Sequence, residues 1–155
     1  MHVVRFMPRP LNFLRIALLR CAGAKIGAHC LVMPGIKVLI PWNLILDDCV
    51  AIGRSVEIYN HAAIHIKSNT LISQYCFLCT SSHDYTRPNL PLTYAAIEVG
   101  SECWIAAGAF VGKGVSIGNG AVIGAYSVVT KHVREWTVNA GNPCREVGPR
   151  IQQDS

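Results

Sequence analysis

Val99 to Thr130 reads VGSECW-IAAGAF-VGKGVS-IGNGAV-IGAYSV-VT, and its period decides the fold. Val99, Ile105, Val111, Ile117, Ile123 and Val129 stand six residues apart, and Gly100, Gly112, Gly118 and Gly124 follow four of them directly. Cys103, Ala109, Val115, Ala121 and Ser127 hold the fifth position of successive hexads. An amphipathic helix repeats near 3.6 residues and a half-buried strand near 2. Six fits neither. It suits a coil of three short strands with tight corners, the branched residue inward on each side and the small fifth residue also inside. The glycine allows close approach or positive φ at the corner. The expected architecture is all-β, a hexapeptide-repeat solenoid.

Working outward, the same phase begins at Ile26-Gly27 and passes through Val32, Val38 and Leu44. It slips by two residues to Leu46, then Ile52, Ile58 and Ile64, and slips again to Ile66, Ile72 and Leu78. The early coils are therefore near 20 residues and the later ones 18. After Leu78 the next inward residue is due at 84, but the phase resumes only at Val99. The segment between, HDYTRPNLPLTYAA, replaces hexads with prolines, aromatics and polar groups. A long loop on a regular scaffold is a place for function. The expected division is an N-terminal helix or cap over 1–25, a β-helix over 26–134 with an inserted loop at 83–98, and a tail over 135–155.

Residues 8–24, PRPLNFLRIALLRCAGA, predict a short helix with Leu11, Leu14 and Leu18 on one face and a stop at Gly23. It is expected to cap the open first coil. The other reading is a basic amphipathic anchor giving peripheral membrane contact. Arg15 and Arg20 interrupt the apolar run, which argues against a signal peptide. No uninterrupted apolar stretch approaches the ~18 residues of a membrane span.

Composition narrows the classes. Charged residues make up 15% of the 155 and hydrophobic ones 51%, so apolar surface is expected to meet another subunit. The net charge of +5 suits an anionic small ligand or membrane proximity. Nucleic acid is not expected, because basic residues interleaved with aromatics on a recognisable module are missing. Cys30, Cys76 and Cys103, of seven cysteines, take the small inward position and read as hydrophobes in a reducing, cytoplasmic compartment. The one Cys-x-x-Cys, Cys76 with Cys79, has no matching second pair, so no metal site is expected.

With the hexads, CTSSHDY and AGNPCR in this order, residues 8–150 resemble the hexapeptide-repeat acyltransferases, in particular sugar O-acetyltransferases of exopolysaccharide biosynthesis, of the colanic-acid type. Galactoside and maltose acetyltransferases are more distant relatives. The resemblance implies a left-handed parallel β-helix of triangular section, a hand that departs from the usual crossover rule. It also implies a homotrimer with active sites between subunits, acetyl-CoA as acyl donor and a sugar or glycan acceptor. An acceptor linked to lipid would place the enzyme at the inner face of the membrane.

Acetyl transfer to an alcohol needs a base near working pH and a donor for the developing oxyanion. His83 matches the family's catalytic histidine, with His61 and His65 as rivals. Asp84 is expected to orient His83 or approach the acceptor, or simply to form a turn. Tyr59 and Asn60 lie near the position where relatives place an acceptor-binding asparagine, and an amide can both donate and accept; the other reading of Asn60 is an asparagine in a corner turn. By the same resemblance, backbone groups at Ala107 and Ala125 meet the pantetheine arm, and Thr130 and Lys131 match a Thr-Lys pair near the nucleotide end. Lys131 and Arg145 suit phosphate. Gly148 departs from relatives with a second arginine there. Trp104 is expected at the CoA groove or at a subunit interface. Two other classes compete. A carbonic-anhydrase-like metalloenzyme would need further histidines between His83 and His132. A non-catalytic β-helix scaffold would not bind acetyl-CoA.

Overall fold

The structure, a computed structural model, describes residues 9–152. Strands of two or three residues wind into a parallel β-helix with three faces. The first face stacks Lys25–Ile26, Leu44–Leu46, Ile64–Ile66, Ile97–Val99 and Ser116–Ile117. The second stacks Leu31–Val32, Ala51–Ile52, Leu71–Ile72, Trp104–Ile105, Val122–Ile123 and Thr137–Ala140. The third stacks Lys37–Val38, Glu57–Tyr59, Phe77–Cys79, Phe110–Val111 and Val128–Val129.

Register turns the hexad positions into columns. Ile26, Leu46, Ile66, Val99 and Ile117 lie over one another on the first face. Val32, Ile52, Ile72, Ile105 and Ile123 do so on the second. Every one of these side chains is buried. Each contributes about 1.5–3 kcal/mol relative to exposure. The two-residue slips resolve as longer strands. Leu44 and Leu46 both point inward, as do Ile64 and Ile66.

The glycine that follows the inward residue serves close approach. A Cβ on Gly118 would sit 2.4 Å from the Glu135 amide nitrogen, and one on Gly53 would sit 2.5 Å from that of Gln74. Positive φ falls elsewhere, one position before the small fifth residue, where His29, Cys49, Tyr75, Glu102 and Tyr126 adopt it.

Both ends of the solenoid are covered. The helix α1 (Asn12–Cys21) lies over the free edge of the first turn. Asn12 Nδ2 donates to the Cys30 carbonyl, and its Oδ1 accepts from Val32 N–H. Arg15 Nε donates to the Val32 carbonyl at 2.8 Å, and Arg20 donates to the carbonyls of Ile26 and Gly27. The side turned inward carries Arg15 and Leu19, with Ile16 and Leu18 packed against the core; of the expected face Leu18 turns inward and Leu14 is exposed, because the open strand edge also needs donors. At the far end the second-face column closes on Asn139, whose Nδ2 donates to Thr137 Oγ1. Arg145–Pro149 folds back antiparallel on Thr137–Ala140, and Arg150 ties down through the Glu102 and Gly120 carbonyls.

Cys76 and Cys103 are buried thiols, and burial pushes the Cys76 thiol up to about 11. No helix among the described residues is long and apolar enough to cross a membrane.

Candidate active site

The regular winding breaks between the third and first faces of the third turn. Ser81–His83 and Leu92–Tyr94 form an antiparallel hairpin that leaves the coil, with His83 opposite Leu92. The coil resumes at Ile97, which pairs with Ile64. The hairpin is held at its base by Ala95 N–H on the Thr80 carbonyl and at its side by Lys113 Nζ on Thr93 Oγ1 at 2.7 Å.

His83 stands exposed at the end of its strand. Its Nδ1 lies 2.6 Å from the Leu90 carbonyl oxygen. A carbonyl accepts only, so Nδ1 carries a proton, and in the neutral ring Nε2 keeps its lone pair. That tautomer can take a proton from a ligand.

The neighbours fall into two groups. Asp84 does not orient His83. Its Oδ1 accepts from Thr86 N–H and Oγ1, and its Oδ2 meets Arg87 at 3.3 Å. Hydrogen bonds from Thr86 hold its carboxyl below the ordinary range. It anchors the turn, one of the roles expected of it. Asn60 is held inside the coil. It is fully buried, its Oδ1 accepts from Ile40 N–H, and its Nδ2 donates to the Ile40 carbonyl. The longer corners of the early coils leave backbone groups that this amide satisfies.

Tyr59 is partly exposed and sits edge-on to His61, with ring centroids 5.0 Å apart. His61 Nδ1 lies 2.7 Å from Ser81 Oγ, on the strand that carries His83. Ser81 was not singled out from the sequence. The signal was there, since His61 and Ser81 are 20 residues apart, the length of one early coil. His65, the other rival base, has Asp47 at 2.9 Å from Nε2 and Glu98 at 3.5 Å from Nδ1, and so braces the outside of the first face.

Ala107 and Ala125 occupy the same corner, between the second and third faces, on successive turns. Tyr126 N–H donates to the Ala107 carbonyl and ties the two levels together. Thr130 and Lys131 are exposed just past the last third-face strand. Lys131 and Arg145 line one groove with His132, Arg134 and Glu146. Glu146 is engaged by a bidentate contact from Arg134 at 2.9 and 2.6 Å, and among the described residues Lys131 and Arg145 make no ion pair. His132 Nδ1 accepts from Ser116 N–H and so closes the coil. Trp104 lies on the outer second face and donates to Ser73 Oγ at 3.0 Å.

A model of the bacterial transferase hexapeptide (six repeats) matches residues 96–131. Over 152 residues the chain is 36% identical to WcaF of Escherichia coli K12, an acetyltransferase assigned to colanic acid biosynthesis, covering 98% of this chain and 84% of that protein. A maltose O-acetyltransferase from Clostridium difficile 630 superposes with a TM-score of 0.89 at 23% identity, covering 97% of this chain and 82% of that one. The hexapeptide-repeat acetyltransferase VCA0836 of Vibrio cholerae O1 biovar eltor, solved with acetyl-CoA, superposes with a TM-score of 0.87 at 24% identity, covering 96% and 82%.

Proposed function

This chain belongs to the hexapeptide-repeat acetyltransferases, and from that premise we propose that it moves the acetyl group of acetyl-CoA onto a hydroxyl of a sugar or glycan precursor. The observation that carries the mechanism is the His83 tautomer, fixed by the Leu90 carbonyl at 2.6 Å with Nε2 left as acceptor.

His83 Nε2 takes the proton from the acceptor hydroxyl as its oxygen attacks the thioester carbon. The new C–O bond forms, the C–S bond breaks, and the imidazolium returns its proton to the departing thiolate. The Leu90 carbonyl stabilises the imidazolium and holds the ring in place. A backbone N–H meets the negative charge that develops on the carbonyl oxygen. No covalent enzyme intermediate is needed.

Lys131 and Arg145 hold the phosphates of acetyl-CoA, and Thr130 borders them. The pantetheine arm runs along the corner of Ala107 and Ala125, where small side chains leave the backbone accessible. That corner and His83 lie at opposite edges of the third face of one chain. Side-by-side subunits bring the His83 hairpin of one to the alanine corner of the next, so the working unit is a homotrimer. Tyr59 and the exposed Tyr85 and Tyr94 offer rings to a sugar. The resemblance to WcaF supports a precursor of surface polysaccharide as acceptor.

The test is release of free CoA thiol from acetyl-CoA with a panel of sugars and nucleotide sugars. Acceptor-dependent release is expected, and His83→Ala lowers it by about 10²-fold or more while leaving acetyl-CoA binding intact. A folded His83→Ala protein with the wild-type rate removes His83 as the base. Neither binding nor release removes the transferase reading.

A further inference from the structure

On the reading that acetyl-CoA is the acyl donor, we propose that His132 donates a hydrogen bond to its 3′-phosphate and makes the chain select CoA over forms that lack this phosphate monoester. The first-face ladder ends at His132. Lower on that face a strand N–H meets a main-chain carbonyl of the next turn, as Glu98 N–H meets that of Val115 at 3.1 Å. Ser116 N–H meets His132 Nδ1 instead, at 3.0 Å. The Ser116 carbonyl accepts from Val133 N–H at 2.9 Å, so this one corner satisfies both main-chain groups. An amide N–H only donates, so Nδ1 is the bare nitrogen and the ring proton sits on Nε2. This is the reverse of His83, where a carbonyl holds the proton on Nδ1. The His132 ring is exposed, and among the described residues its Nε2 makes no hydrogen bond. The main chain thus presents a neutral donor of fixed direction.

The groove beside that donor selects the ligand. His132 lines a groove of about 280 Å³ with Lys131, Arg134, Arg145 and Glu146. Arg134 and Glu146 close on each other through two contacts, and those hydrogen bonds hold the Glu146 carboxyl below the ordinary range. The pair is therefore ionised near neutral pH and its charges cancel. Lys131 and Arg145 make no ion pair among the described residues, so the groove keeps two positive charges. A phosphate monoester carries close to two negative charges near neutral pH and offers three terminal oxygens. A phosphodiester carries one charge and offers two such oxygens. Lys131, His132 and Arg145 supply donors from three side chains, which suits the monoester. Lysine acts there as a point charge and arginine as a fork. His132 adds direction without adding charge.

The test is calorimetric titration of the full chain with CoA and with 3′-dephospho-CoA, beside two substitutions that each keep one edge of the ring. His132→Asn puts an amide oxygen where Nδ1 stands and keeps the Ser116 contact, but its side chain stops short of Nε2. His132→Gln reaches the Nε2 position with an N–H and gives up the Nδ1 acceptor. The wild-type chain is expected to bind CoA at least about tenfold more tightly than dephospho-CoA. His132→Asn raises the Kd for CoA by about tenfold, leaves that for dephospho-CoA unchanged, and melts as the wild type does. His132→Gln keeps the Kd for CoA within about twofold and melts at a lower temperature. A His132→Asn protein that binds CoA as tightly as wild type, or that loses both ligands equally, overturns the proposal. So does a His132→Gln protein that loses CoA as far as His132→Asn does. Equal binding of the two ligands by the wild type overturns it without any variant, and leaves the acetyl-CoA reading standing. No binding of CoA by the wild type overturns both.

Discussion

A histidine acts as a base only through a nitrogen without a proton, and in His83, the proposed base, the choice is made by a main-chain oxygen that no side-chain substitution removes. Its neighbour in sequence does something different. Asp84 holds the turn through Thr86, and its carboxyl is depressed by those hydrogen bonds. A depressed carboxyl stabilises the folded turn above its unfolded pKa, and that stability is lost as pH falls through the lower, folded value. The Thr86 amide is therefore expected to stay protected from hydrogen exchange near neutral pH and to lose protection only below about pH 3.8, the ordinary aspartate value. Loss of protection between pH 5 and 7, read by NMR, would contradict this role for Asp84. Asn60 makes the companion case. Its amide satisfies both main-chain groups of Ile40 from a fully buried position. Asn60→Ala is expected to cost about 1–3 kcal/mol in denaturant unfolding, by leaving those groups without partners. An acceptor-binding asparagine would instead raise KM at unchanged stability.

Elements extend the same logic along the coil. Gly118 follows an inward isoleucine, and its missing Cβ is where the Glu135 backbone of the next turn lies, 2.4 Å away. Gly118→Ala is expected to destabilise by about 1–3 kcal/mol, since the clash is with main chain that cannot rotate aside. A melting temperature equal to wild type would show that neighbouring turns can separate without loss. Contacts of this kind were legible in the sequence, because a fixed period places residue i over residue i + 18 or i + 20. The column segments from Ile26 to Ile66 and Val99 to Ile117, and from Val32 to Ile72 and Ile105 to Ile123, follow from counting; the steps from Ile66 to Val99 and from Ile72 to Ile105 span the inserted loop. The hand of the coil does not, since a period of six is the same in either sense. The orientation of α1 was hidden for another reason. An arginine on a helix reads as solvated, and only the unpaired edge of Leu31–Val32 makes Arg15 an inward residue. In the site, the exposed His83 was visible as a break in the hexads. The placements of Asn60 and Asp84 were not, because an asparagine in a corner and an aspartate after a histidine look the same whether they bind ligand or backbone.

The whole molecule sets how many chains one site needs. The alanine corner at 107 and 125 lies between the second and third faces, whereas the His83 hairpin leaves between the third and first. A rigid three-sided coil keeps those edges apart within one chain, so in the proposed homotrimer a thioester seated at one edge meets a base from a neighbour. A subunit that lacks the base and a subunit that lacks the phosphate cations then carry complementary defects. His83→Ala and Lys131→Ala/Arg145→Ala proteins are each expected to be nearly inactive, and each is expected to assemble at three times 16.9 kDa by light scattering. When the two are unfolded and refolded together in equal amounts, a cyclic trimer pairs an intact His83 with an intact corner at about one site in four. Thiol release is therefore expected to recover to about a quarter of the wild-type rate. Sites contained within single chains would give no recovery at any mixing ratio. A recovery that follows the product of the two subunit fractions, peaking at equal amounts, would identify the base and the CoA corner as belonging to different copies of the chain.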